Sequence, residues 1–226
     1  MRSKSLSRIL SLSLCCAVVF LAGCSDTTPA LTAVEVAVVY DLRDGEQAPR
    51  QELSVFVQST VDTARIMELS VSHPATDIRW DLREPVVLSD GERVMAGSAH
   101  LMPPYFSPVP QGQYSITYTD LAGQVATGNF FLDYQDLDPI PLAQPLFPPR
   151  EEGAEEPAEP TRRLAVFSEV DGGGRLLFFG KASDGWDEPS DVADSYQDAK
   201  SLRLCLDYPS RQVRYVLPPV NIESGE

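Results

Sequence analysis

Histidine is the commonest general base near neutral pH, and this sequence holds two, His73 and His100. Both fall in or beside runs that read as strands. No Gly-x-Ser-x-Gly elbow, Walker loop, zincin helix or paired-cysteine zinc spacing occurs, so both histidines are read as polar residues of loops or sheet surface. A second grouping is acidic: Asp184, Asp187, Glu188, Asp191 and Asp194 surround Gly185 and Trp186. Carboxylates suit Ca²⁺, but the alternating ligands and closing glutamate of an EF-hand are absent. The reading is an acidic helix start, which the helix dipole favours on its own. The rival is a hydrolase or metal site built from these carboxylates. Asp187→Asn with Asp191→Asn separates the two: a site loses activity or ion-dependent stability, and a solvated face gains stability from relieved repulsion.

Cys205 is read as lying across from Arg214, a neighbour that favours thiolate; with no second cysteine or histidine near it in sequence, a half-buried structural thiol is the preferred reading. The segment Met102-Pro103-Pro104-Tyr105-Phe106-Ser107-Pro108-Val109-Pro110 is the most apolar loop, and such a patch marks contact with something. One reading docks the carboxy-terminal part of the chain there. The other presents Tyr105 and Phe106 as anchors for an external partner.

The amino terminus has its own chemistry. Arg2, Lys4 and Arg8 are followed by an uncharged run from Ile9 to Ser25, the layout of a secretory signal. Its apolar part, ending at Gly23, is shorter than the roughly 20 residues a bilayer crossing needs. The run closes on Leu21-Ala22-Gly23-Cys24, which resembles the lipobox of bacterial lipoproteins. The resemblance covers the first 24 residues and implies cleavage between Gly23 and Cys24, with a diacylglycerol on the Cys24 thiol and often an acylated amino group. At about 0.8 kcal/mol per buried methylene, two or three acyl chains hold a protein to a membrane. The implied location is the bacterial cell envelope, inner or outer membrane, with the covalent lipid at Cys24 and no other cofactor.

The whole chain has 226 residues, 33 acidic and 18 basic, for a formal charge of −15. Removing residues 1–23 takes away three basic residues and leaves 15 against 33, or −18. That field repels phosphate and excludes general nucleic-acid binding. Cys15 and Cys16 leave with the signal and Cys24 is acylated, so no intrachain disulfide is expected and stability must come from packing.

The elements that must hold these residues are strands. After a signal peptide (1–23) and a lipidated tether (24–32), residues 33–135 give short β-branched and aromatic runs separated by turn signals, an antiparallel sandwich. Strands are expected over 34–42, 52–58, 66–73, 78–82, 84–88, 93–100, 113–119 and 124–133. Gly112-Gln113-Tyr114-Ser115-Ile116 resembles the tyrosine corner of immunoglobulin-like domains. That resemblance implies Ile116 in the place of the core cysteine, Leu69 or Val71 as its partner on the second strand, and Trp80 packed over them.

Residues 136–162 hold seven prolines and five glutamates, a semi-rigid linker or strap. Residues 163–220 read as a small α+β module, strand-strand-helix-strand-strand, with a helix over 191–200 capped by Ser190 and a tail at 221–226. In its last hairpin Leu206, Leu204 and Leu202 are expected to face Val213, Tyr215 and Leu217. The functional expectation is a non-catalytic envelope lipoprotein that binds or assembles a protein or glycan partner through Tyr105 and Phe106 or exposed sheet edges. The hydrolase above and a purely structural spacer are the alternatives.

Overall fold

The computed structural model describes residues 28–43, 48–90, 93–140, 144–147, 159–172 and 174–222. The expected signal peptide, Gly23 and Cys24 lie outside them, as do 141–143 and 148–158 of the expected linker and the end of the tail. The protein is mainly β, an immunoglobulin-like sandwich followed by a smaller segment with one short helix. Its first eight strands are β1 (Leu31–Asp41), β2 (Arg50–Ser59), β3 (Ile66–His73), β4 (Ile78–Leu82), β5 (Val86–Asp90), β6 (Arg93–Leu101), β7 (Gly112–Asp120) and β8 (Val125–Leu132). They form two antiparallel layers, β1-β2-β6-β5 and β4-β3-β7-β8.

Alternation explains the layers. In β7, Tyr114, Ile116 and Tyr118 are fully buried, while the residues between them face outward. The facing sheet contributes Leu53, Val55 and Val57 of β2 and Val38 and Tyr40 of β1 to the same core. Each such side chain is worth about 1.5–3 kcal/mol of burial. The expected tyrosine corner is formed: the Tyr114 hydroxyl donates to the Pro110 carbonyl at 2.7 Å.

One expectation attached to that corner is corrected. Leu69 and Val71 lie on β3, hydrogen-bonded beside β7 with Val71 paired to Ile116, so they are same-sheet neighbours. Across the core lies the layer β1-β2-β6-β5, whose Leu53, Val55 and Val57 on β2 share the buried cluster with Ile116. Trp80 sits on edge strand β4, half-buried, and its indole N–H donates to the Met102 carbonyl at 2.9 Å. It lies beside Val71 and packs against the core as expected, and it also ties an edge to a loop.

The sandwich has two poles. Near the start of β1, the Thr60 amide donates to the Ala30 carbonyl and the Leu121 amide to that of Arg65, which places the β2–β3 connection and the β7–β8 turn at one pole. The end of β1, the start of β2 and the β6–β7 loop lie at the other, where Asp41 pairs with Arg50 and Leu53 with Leu101.

The carboxy-terminal segment supplies β9 (Thr161–Phe167), β10 (Leu176–Gly180), α1 (Pro189–Ser195), β11 (Ser201–Tyr208), β12 (Val213–Val216) and β13 (Val220–Asn221). Its strands extend the first sheet through a parallel pairing of β12 with Val38–Asp41 of β1, giving the path β10-β9-β11-β12-β1-β2-β6-β5 with β13 beside β11. The expected docking of this segment on the Met102–Pro110 loop is therefore corrected: it joins the edge of β1. Tyr40 and Tyr215 stack across the junction with ring centroids 5.0 Å apart.

The last hairpin is shifted by two residues from the expected register. Leu206 pairs with Tyr215, and Leu217 donates its amide to the Leu204 carbonyl. A 3₁₀ turn at Pro209–Arg211 and a left-handed Gln212 (φ 54°) put four residues in the connection. A two-residue slip leaves every side chain on its face, which is why the apolar face survives the error.

Helix α1 is shorter than expected and starts earlier. Pro189 occupies its first turn, with φ preset and no N–H to satisfy, so the cap is Glu188 and not Ser190. The Asp191 carboxylate accepts the backbone amides of Asp187 (2.8 Å) and Glu188 (2.9 Å). The described ends of the proline-rich segment lie on the protein as a strap. Leu137, Ile140, Leu146 and Phe147 pack against the core, and the Leu137 amide donates to the Tyr215 hydroxyl at 2.8 Å.

Candidate functional site

The β6–β7 loop is held at its base by side chains from three other elements. Trp80 binds the Met102 carbonyl, Gln51 Oε1 accepts the Val109 amide at 3.0 Å, and the Tyr134 hydroxyl donates to the Val109 carbonyl at 3.0 Å. With Tyr114 on Pro110, four anchors fix both ends of the loop, and Val109 is 1 % exposed. Between them the chain turns through a short 3₁₀ segment, Pro104–Phe106, closed by the Ser107 amide on the Pro104 carbonyl at 3.2 Å.

At its tip Tyr105 is 98 % exposed and Phe106 71 %. Both have left-handed backbones, φ 58° and 54°. That conformation costs a non-glycine residue about 1–2 kcal/mol, and here it turns two large apolar side chains into water. One face of Phe106 carries the Arg50 guanidinium, 5.8 Å from the ring centroid. The arrangement is an aromatic knob whose rings stand outside the core.

Both histidines have partners within the fold. His73 is buried against Tyr114, with Nδ1 2.9 Å from the Thr76 hydroxyl and Nε2 3.2 Å from the Gln111 carbonyl. A carbonyl can only accept, so Nε2 carries the proton and Nδ1 accepts from Thr76. Neither nitrogen is left for chemistry. The exposed His100 ring places Nδ1 2.5 Å from the buried Glu52 carboxylate, and that hydrogen bond raises its pKa above the usual 6.5.

Beside this pair lies a group the sequence did not bring together. Buried Arg203 binds the Asp41 carboxylate, the Leu42 carbonyl at 2.8 Å and the Leu217 carbonyl at 2.9 Å. Burial alone would raise the Asp41 pKa, but Arg203 and then Arg43 outweigh it and pull it below 3.8. The residues join β11, β12 and the end of β1, so they latch the carboxy-terminal segment to the sandwich. No local motif marks them: Asp41 and Arg203 are 162 positions apart.

The acidic loop leads into helix α1. Asp191 is engaged as a cap, which lowers its pKa through the backbone amides of Asp187 and Glu188. Among the described residues no group of three His, Cys, Asp or Glu side chains is placed to hold a metal. Trp186 belongs to a small aromatic core, 5.2 Å from Phe178 and 6.1 Å from Tyr196, with its indole N–H on Ser195 at 3.1 Å. Cys205 lies opposite Val216, while Arg214 stands across from Asp207 and binds its carboxylate. The expected thiolate-favouring pairing is corrected by the register, and burial pushes the thiol up to about 11.

A hollow of about 280 Å³ lies under the strap, lined by Leu146, Leu204, Leu217 and Pro219. No described helix is long and apolar enough to cross a membrane. The chain matches no family of known proteins and no curated protein.

Proposed function

We propose that this is an exported lipoprotein of the bacterial cell envelope, acylated at Cys24, that acts without catalysis as a binding or assembly module for a protein or glycan. The observation that carries the binding role is the Tyr105–Phe106 knob. Two aromatic side chains are held out of the core in left-handed backbone by four anchors, which favours contact elsewhere. Support for the anchor is Leu21-Ala22-Gly23-Cys24 at the end of an uncharged run behind three basic residues.

The test is intact mass of wild type and Cys24→Ser, expressed in a bacterial host and separated into membrane and soluble fractions. Wild type should begin at Cys24 and carry acyl mass in the membrane fraction, and the variant should lose both. An unmodified full-length chain, or cleavage elsewhere, ends the lipoprotein reading. For the knob, Tyr105→Ser with Phe106→Ser should leave thermal stability unchanged or raised, while abolishing the envelope function that deletion of the protein abolishes. A double variant that restores the deletion strain fully would sink the binding role.

A further inference from the structure

We infer that the Tyr105–Phe106 knob engages a folded protein on the side facing away from the anchoring membrane, entering an apolar pocket of that partner. The inference rests on the lipid-anchor reading above.

Direction comes from the strands. The described chain enters the sandwich at Ala30, whose amide and carbonyl bond Thr60 at one pole. The knob lies at the opposite pole, beyond Arg50 at the start of β2. Ten-residue β2 separates these poles by about 30 Å at 3.3 Å per residue. From Cys24 to Ala30 there are six steps, at most about 20 Å of extended chain. That slack is shorter than the body, so the body cannot invert to press the knob into the membrane holding Cys24. Lying flat would bring a body of charge −18 against the headgroups, which anionic lipid opposes.

The class of partner comes from shape and donors. Tyr105, at 98 % exposed, projects and does not line a cleft. Sugar hydroxyls need convergent donors and acceptors beside an aromatic face; the loop around the knob offers Pro103, Pro104, Pro108 and Pro110, which have no N–H, and the one guanidinium beside it, that of Arg50, already lies against the face of Phe106. A projecting ring pair gains most from a pocket that surrounds it, with an acceptor or donor for the phenol. A second copy as occupant would bring two such charges together.

Two measurements on the full lipidated chain test this. The first uses Tyr105→Cys or Leu121→Cys, labelled with a fluorophore while buried Cys205 stays unlabelled, in phosphatidylcholine/phosphatidylglycerol vesicles with an acceptor-labelled headgroup. Leu121 is 66 % exposed at the tether pole and should transfer energy strongly; position 105 should transfer severalfold less. Equal or greater transfer from 105 overturns the direction. Failure of the wild type to enter membranes instead removes the anchor reading beneath it.

The second places a photo-crosslinking phenylalanine analogue at 105 or 121 in the living envelope. The expected result is one discrete protein adduct from 105, absent from 121 and lost with Phe106→Ser. An adduct of twice the chain mass, a lipid or glycan adduct, an adduct that survives Phe106→Ser, or none at all overturns the protein-pocket assignment.

Discussion

The sandwich and the carboxy-terminal segment share one sheet but are held by different forces. Inside the sandwich the two layers meet through fully buried Leu53, Val55, Ile116, Tyr114 and Tyr118, contacts with no dependence on proton or salt. At the junction, four paired residues of β1 and β12 are reinforced by Arg203 on Asp41 and by the Tyr40–Tyr215 stack, with the Tyr40 hydroxyl donating to Asp136 of the strap. A fold can thus be built from pattern in one half and attached by specific polar partners in the other. Each tryptophan reports on one region, since Trp80 lies on β4 and Trp186 beside α1.

The largest effect is expected from Arg203→Leu, which leaves buried Asp41 without its cation and should cost about 3–5 kcal/mol. In denaturant, emission from Trp186 should then change before that from Trp80, whereas wild type changes in one step; coincident transitions in the variant would erase the distinction between the regions. Ile116→Ala, costing about 2–5 kcal/mol, is the matching cut inside the sandwich and should move both reporters together. Tyr114→Phe removes one hydrogen bond and should cost about 1–2 kcal/mol, with faster amide exchange around Val109; unchanged exchange would show that the corner does not hold the loop.

Proton linkage should reach the two regions differently, because Asp41 serves the junction while His100 and Glu52 join β6 to β2 inside the sandwich. The Asp41 pKa is lowered on folding, so its contribution is full above 3.8 and is lost as pH falls through the folded value. The His100 pKa is raised, so its contribution is full below 6.5 and is lost as pH rises through the folded value. The Trp186 transition should therefore weaken as pH falls below 3.8, and the Trp80 transition as pH rises above 6.5. A Trp80 transition with the same pH profile would contradict the contrast. Smallest is Cys205: its thiol should resist alkylation at pH 8 until the segment opens, and labelling of the native protein at the rate of a free thiol would show that β11 is not closed.

What could be read from the residues follows the same division. The alternation in Tyr114-Ser115-Ile116-Thr117-Tyr118 and the glycine two places before Tyr114 carry their own local signal, and strand and corner are both present. Leu69 and Val71 were expected across the core from Ile116, but their strand is hydrogen-bonded beside it, a sheet assignment that alternation alone does not carry. In the last hairpin, Leu202, Leu204 and Leu206 specify a face but not a register, which a left-handed Gln212 decides. Arg203 lies between two of those leucines like any outward residue, and nothing near it in sequence announces Asp41. The knob was visible as an apolar loop, while its strained backbone and its buttresses Gln51 and Tyr134 came only with the fold.

The pairing of β1 with strands on both sides has a mechanical consequence. Load applied at Ala30 and resisted at Tyr105 would run along the strand axis, and the hydrogen bonds joining β1 to β2 lie across that axis. They would be sheared as a set, with β12 sharing the load over Val38–Asp41, and not peeled one at a time. The polypeptide's first strand is thereby clamped by one of its last, and a tug between membrane and partner would meet its stiffest direction.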